Sequence, residues 1–445
     1  MYKRKKKKKW LIFVLLIIIG LGVYVYFNFD EIKDRIIPEE KYFPLLEDTI
    51  GKVDVFTRYG RYFNISGNLD GIYTDVYDVK LVLNNKDGDS EYKLNYIIGT
   101  NNIVFSTNEK INEGIILDGI NIGEYYILLK IIYTDETYKY YSLENASNYE
   151  NIDYYTMTKN NKNNYITIDF KKENKGSKEK TEEQSIPVFK IKVVEKELPS
   201  EIYDIVIDPG HGGIDPGAVN GHIHESKLVL GIALDLKDEF EKLGYKVMLT
   251  RTGDYDPGTK KMDPYSEGGR AITPNDAKAK YLFSIHLNSD YYPVSKGGVE
   301  MYIAPNMDTT LAKLFADRIV QYANTNLSPK DSYKVLEGVY IRGFLKGELR
   351  SMENDAKKYG YTMYNITEDT PYYYMLRETG GIITGAYVDG RNSFYSRNKY
   401  YDVNFGVESY IFELGYIINN VDLKNIQDNK NGYIKGIIEA FKEGI

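Results

Sequence analysis

Lys196–Glu201 (KELPSE) divides the sequence into two halves that cannot share one fold class. Before it, from about Val53 to Val194, short runs rich in Val, Ile, Tyr and Phe recur between turn signals, among them RYFNISGNL, DVKLVLNN, NIVFSTN and NYITIDF. Alternation at this spacing predicts an all-β, sandwich-like domain over residues 48–196. GINIGEYYILLKI reads as a turn feeding a strand that runs from sheet edge to core. Residues 171–186 are too polar to be buried and read as a loop. Beyond a linker at 197–201 the pattern becomes strands alternating with amphipathic helices. Residues 202–445 therefore predict an α/β domain whose mixed, largely parallel sheet is flanked by helices. IYDIVI, YLFSIHL, GVEMYIA and YIFELGYI read as strands. Residues 227–243 read as a helix with Leu228, Ile232, Leu236 and Leu243 on one face and Gly244 ending it.

The first 29 residues follow neither pattern. Lys and Arg fill positions 3–9, and Trp10–Phe29 is twenty residues without a charge. As a helix that run rises ~30 Å, the depth of a bilayer's hydrocarbon core. A cleaved signal peptide would have a shorter apolar run ending in small residues; this one ends in Tyr, Phe and Asn. We therefore expect a cytoplasmic basic tip and transmembrane helix at 1–29, a stalk at 30–47, and extracytoplasmic domains beyond, in a single-pass membrane protein. The chain's net charge is −7, and outside the basic tip it is more acidic still. That balance excludes non-specific nucleic-acid binding, which needs basic surface.

The absence of cysteine rules out disulfides, thiol nucleophiles and cysteine metal sites. Imidazole chemistry is confined to His211, His222, His224 and His286, all early in the second half. His211 lies in DPGHGGIDPGA, directly after a strand, where open α/β sheets place their ligands. No GK[ST] follows, and the GxGxxG spacing is missing, so the loop presents a histidine and does not cradle a phosphate. Glu225 heads the next helix, and His286 stands near the end of another buried strand. Two histidines and one carboxylate, with water in a fourth position, form a catalytic zinc set. His222 and His224 crowd Glu225 from the preceding loop, and either could substitute as a ligand. A proton carrier is also required. Glu413 is the candidate, a carboxylate inside the otherwise apolar strand YIFELGYI.

DPGHGGIDPGA, Glu225, SIHLN and FELGYIIN, in this order, resemble the zinc-dependent N-acetylmuramoyl-L-alanine amidases of bacterial cell walls over about residues 202–445. The resemblance implies one zinc per chain on His211, Glu225 and His286, catalysis by Glu413, and peptidoglycan as substrate. Arg270, Asn275, Asn288 and Arg377 resemble family positions near the cleft, where each fits a structural role as well as substrate binding. Residues 339–409 are long for the family, and they shape access to the site or cover it. Two rival readings stay open: a non-catalytic wall-binding or morphogenetic protein on this fold, and a zinc hydrolase of another amide.

Overall fold

The computed structural model describes residues 42–158, 162–174, 185–289, 297–360, 363, 366–386 and 398–445. The expected membrane helix and most of the stalk lie outside them, as do 175–184 of the polar loop and 387–397 of the insertion. Among the described residues no helix is long and apolar enough to cross a membrane.

The first half is built from β1 (Gly51–Tyr59), β2 (Tyr62–Asp70), β3 (Val76–Asn85), β4 (Gly88–Lys93), β5 (Asn95–Ile98), β6 (Asn102–Ser106) and β7 (Ile115–Ile116). It continues through β8 (Gly123–Tyr133), β9 (Tyr138–Tyr141), β10 (Leu143–Asn145), β11 (Ile152–Tyr155), β12 (Asn164–Asn174) and β13 (Ser185–Glu195). One sheet runs β10-β1-β2-β6-β5 and the other β11-β12-β13-β8-β3-β4. Val53, Phe56 and Phe63 of the first meet Leu81, Ile127 and Ile191 of the second in one core. This is the sandwich expected from the alternation.

Three details differ from expectation. The ends of the polar stretch 171–186 are strand and not loop, β12 running to Asn174 and β13 starting at Ser185. Residues 42–47 are not stalk: Phe43 and Leu46 pack with Val82, Leu128 and Val188 on the outer face of the second sheet. Their apolar side chains gain more from that cover than from solvent. For the same reason β8 is interior, paired to β13 and β3, and buries four residues in succession, Tyr126–Leu129. A strand covered on both faces loses its alternation.

The second half contains β14 (Ile205–Pro209), β15 (Val219–Asn220), β16 (Ile223–His224), β17 (Val247–Leu249), β18 (Tyr281–Asn288), β19 (Glu300–Ile303), β20 (Lys334–Leu336), β21 (Val339–Ile341), β22 (Phe405–Gly406) and β23 (Glu408–Tyr416). Its helices are α1 (Glu225–Lys242), α2 (Thr273–Asp276), α3 (Thr310–Ala323), α4 (Lys346–Tyr359), α5 (Tyr374–Glu378), α6 (Asn420–Asp428) and α7 (Lys430–Gly444). The sheet order is β17-β14-β18-β23-β19-β21-β20, parallel from β17 through β23 and antiparallel at β23–β19 and β21–β20. Phe283 on β18 lies at the heart of the core, its ring 5.5–5.8 Å from those of Phe240, Phe315, Phe412 and Phe441. α1 buries Val229, Ile232, Ala233, Leu236 and Phe240. Ile232 and Leu236 of the expected face lie in the core and Leu228 packs against it, while Leu243, already past the last helical residue, is exposed.

The two halves are not beads on a string. β22, far along the second half, pairs in parallel with β1, Arg58 opposite Phe405 and Tyr59 opposite Gly406. Tyr59 and Met157 of the sandwich are buried in the core of the α/β half.

Candidate metal and catalytic site

The parallel strands end together, and their C-terminal ends deliver the site. After β14 the chain must turn at once, and it does so around His211, which takes a left-handed φ of 58°. Non-glycine residues seldom adopt this conformation, and where they do the surroundings must hold it. Here they do. Arg251, with no exposed surface, donates from Nε to the Pro209 carbonyl (3.0 Å) and from Nη2 to those of Gly210 (2.7 Å) and Ser226 (2.8 Å). Arg270 donates to the His211 carbonyl at 2.7 Å and pairs with the buried Asp208. Two glycines are sterically required. A Cβ on Gly210 would lie 2.2 Å from the His286 ring, and one on Gly217, at φ 66°, would meet His211 and Glu225 at 2.6 and 2.7 Å.

Glu225 is the first residue of α1, where the helix dipole favours its negative charge. One oxygen accepts from the Ala218 amide (2.9 Å). The other accepts from the Leu287 amide (2.9 Å) and lies 3.0 Å from His286 Nδ1 and 3.2 Å from His211 Nε2. One ligand atom from each of His211, Glu225 and His286 falls within 4.8 Å of the others. His211 Nδ1 faces away, 2.7 Å from Asp215 Oδ2. A carboxylate behind an imidazole fixes its tautomer and aims its second nitrogen, as at many metal centres.

The electrostatics favour a cation at this point. Burial opposes charge on His211, but Glu225 and Asp215 outweigh it and raise the imidazole to about 9. Burial likewise opposes charge on Glu225, yet the two imidazoles hold its carboxyl far below the ordinary range. The donors are two nitrogens and an oxygen, the oxygen 3.0 and 3.2 Å from the nitrogens and all three within 4.8 Å of one another, a donor set suited to a divalent ion. The residues present therefore fit a metal ion. His222 is exposed and His224 only half-buried, and neither belongs to the convergent group.

Glu413 lies beside this group. β18, β23 and β19 are in register at His286, Glu413 and Glu300, so the three side chains form a row across one face of the sheet. Burial pushes the Glu413 carboxyl up to about 7; His286 and His211 oppose the shift, while Glu225 and Glu300 add to it. Its Oε2 is buried with no hydrogen-bond partner. Glu300, fully buried, is occupied by Tyr302 (2.8 Å), Tyr416 and Lys330 (3.4 Å). A cleft of about 370 Å³ opens over the site, with His211, His286, Arg270, Met262 and Tyr374 in its walls. Tyr373, Tyr374 and Met375 bring the described part of the insertion to this cleft.

Of the four residues considered for substrate, only Arg270 lines the cleft, and it is also tied to Asp208 and His211. Arg377 is buried, donating to Glu378 and to the Pro371 and Tyr372 carbonyls. Asn275 is buried too, its nearest acceptor the Glu378 carbonyl at 3.5 Å. Asn288 ends β18 and caps the following amide of Ser289. Arg377 and Asn275 are held within the framework, while Asn288 is half-buried at the strand end and does not line the cleft. Sequence reasoning passed over Asp215, Arg251, Asp208 and Glu300. Asp208 and Glu300 carried the signal used for Glu413, an acid within an apolar strand, and Asp215 stands four residues from His211.

Residues 205–380 match a family described as N-acetylmuramoyl-L-alanine amidase. The N-acetylmuramoyl-L-alanine amidase AmiC of Neisseria meningitidis is 36% identical over 111 residues, 24% of this chain and 25% of that protein. The sporulation-specific N-acetylmuramoyl-L-alanine amidase of Bacillus subtilis is 35% identical over 124 residues, 26% of this chain and 43% of that protein. The chain thus spans well under two thirds of these relatives. The catalytic domain of the CwlV amidase from Bacillus (Paenibacillus) polymyxa superposes with a TM-score of 0.35 and 18% identity, over 55% of this chain and 98% of that one.

Proposed function

We propose, since residues 205–380 belong to the N-acetylmuramoyl-L-alanine amidase family, that this chain hydrolyses the amide between N-acetylmuramic acid and L-alanine in peptidoglycan, with one zinc ion held by His211, Glu225 and His286. The observation that carries the reading is the convergence of those three side chains with Glu413 beside them on the next strand. Zinc bound there would supply Lewis-acid polarisation of the amide carbonyl and acidify water. The chain's own residues do the rest. Glu413, with a proton affinity matched to neutral pH, takes a proton from the attacking water and returns it to the departing alanine nitrogen. The amide C–N bond breaks, leaving a carboxylate on the sugar side and a free amine on the peptide. Asp215 keeps His211 oriented, and Arg251 with Arg270 keeps its loop from relaxing.

We also propose that residues 1–29 anchor the chain, leaving both domains outside the cell. Protease added to wall-stripped cells should then degrade the amidase domain, and full protection would refute this topology. The chemical roles separate in two substitutions. Glu413→Gln should retain zinc by elemental analysis while turnover falls on the order of 10²–10⁴-fold, the usual worth of general acid–base catalysis. His286→Ala should lose metal and turnover together. Loss of zinc in Glu413→Gln would make that residue a ligand and overturn its assignment.

A further inference from the structure

The sandwich touches the sheet of the α/β half at the opposite end from the cleft. Arg58 N–H donates to the Asn404 carbonyl (2.8 Å), and the Gly60 amide donates to that of Gly406 (3.0 Å). The Tyr59 hydroxyl lies 3.4 Å from the Ser409 amide, which donates to it, and itself donates to Met307 Sδ at 3.2 Å. On β19's side, the Ile111 amide donates to the Asn306 carbonyl (3.0 Å), and Asp308 N–H donates to Asn112 Oδ1 (2.7 Å). The sandwich thus grips the start of β23 and the loop after β19, the two strands that carry Glu413 and Glu300.

Within this joint the polar bookkeeping is incomplete. Four buried side-chain atoms have no hydrogen-bond partner: Arg61 Nε, Asp118 Oδ2, Tyr281 Oη and Glu408 Oε2. Such atoms are rare in folded proteins, and each calls for an explanation. Glu408 is the centre. It is the first residue of β23, opposite Tyr281 in register, and Oε2 lies against Gly60, where a Cβ would come within 2.9 Å. Its other oxygen accepts from Tyr410 (2.6 Å) and, at 3.5 Å, from Asn112. The charged and titratable groups facing it are Arg61, Tyr59 and Tyr62 from the sandwich, Tyr281 from β18, Tyr410 from β23, and Asp308 from the loop before α3. Arg61, the one cation among them, is shared with Asp118 at 3.5 Å.

We propose that the sandwich is a clamp on the catalytic sheet and that Glu408 is its proton-dependent pin, making Glu408 a positioning residue for Glu413. A carboxylate here is buried with one oxygen unpaired, a costly state, whereas the neutral acid is tolerated. Burial accordingly pushes Glu408 up to about 7, with Tyr410, Arg61 and Asn112 opposing. A carboxyl raised above its ordinary range stabilises the fold most below its unfolded pKa of about 4.5, and that stabilisation is lost as pH rises through about 7. The clamp is tight in acid and slack in base.

The test compares the full chain with Glu408→Gln, a neutral side chain of the same shape. Hydrogen exchange of residues 404–409, corrected for intrinsic rates, should show wild-type protection falling several-fold from about pH 5.5 to about pH 8, with the variant unchanged. The kinetic arm rests on the amidase reading. The wild-type to variant ratio of kcat on peptidoglycan should be near one at the acid end and fall several-fold at the alkaline end, with KM unmoved. Parallel protection curves would overturn the clamp whatever the enzyme does. A chain that cuts no amide in either form would defeat the amidase reading alone, and the exchange data would still decide the clamp.

Discussion

His211 shows how much of this site a single position can demand. Its left-handed backbone, the bare Cα of Gly210 under His286, and the buried guanidinium of Arg251 are parts of one device that points an imidazole at Glu225. The histidine, the glycines and Glu225 were legible in the sequence because motif residues sit close together. Arg251 was not, since nothing in a linear pattern marks an arginine that will lose all its solvent. Arg251→Met leaves the Pro209, Gly210 and Ser226 carbonyls without this donor, and at ~1–3 kcal/mol per unpaired buried group should cost at least about 3 kcal/mol in urea denaturation. Asp215 acts more locally. Asp215→Asn should weaken zinc affinity on the order of 10–100-fold in competition with a chelator, with the melting temperature of the metal-free protein little changed. Unaltered affinity would remove Asp215 from the site's support.

At the scale of elements, the strands that carry chemistry were read to within three residues, because each is an apolar run bounded by turns. Pairing across the halves was not readable. β22 is two residues long, and its partner β1 lies some 350 residues earlier, a contact that only the assembled fold defines. On α1 the expected face holds except at its end, where Phe240, central to the aromatic core with Phe283 and Phe441, is buried and Leu243 is not. Tyr59 carries the consequence. Fully buried in the neighbouring core, it should on truncation to Ala cost about 3–5 kcal/mol, as large-to-small changes of buried aromatics do. The loss should appear in the unfolding of the α/β half, followed by tryptophan-free probes such as far-ultraviolet ellipticity. A sandwich-only effect would contradict the shared core.

As a whole, the chain was divided by its sequence into a sandwich, a linker and an α/β domain, and β22 departs from that division by joining the first half's sheet. The physical unit does not end at the linker, because Tyr59, Met157 and the β1–β22 pair cross it. Residues 202–445 expressed alone should therefore melt well below the full chain, and equal melting would mean the joint contributes nothing. The proposed activity of the whole molecule comes down to one bond. Purified full-length protein with zinc, incubated with peptidoglycan and followed by mass spectrometry and amino-terminal labelling, should release stem peptides bearing a new L-alanine amino terminus, with the glycan strands left uncut. Release of peptides by cleavage at any other bond, or no release while zinc fills the site, would contradict the account.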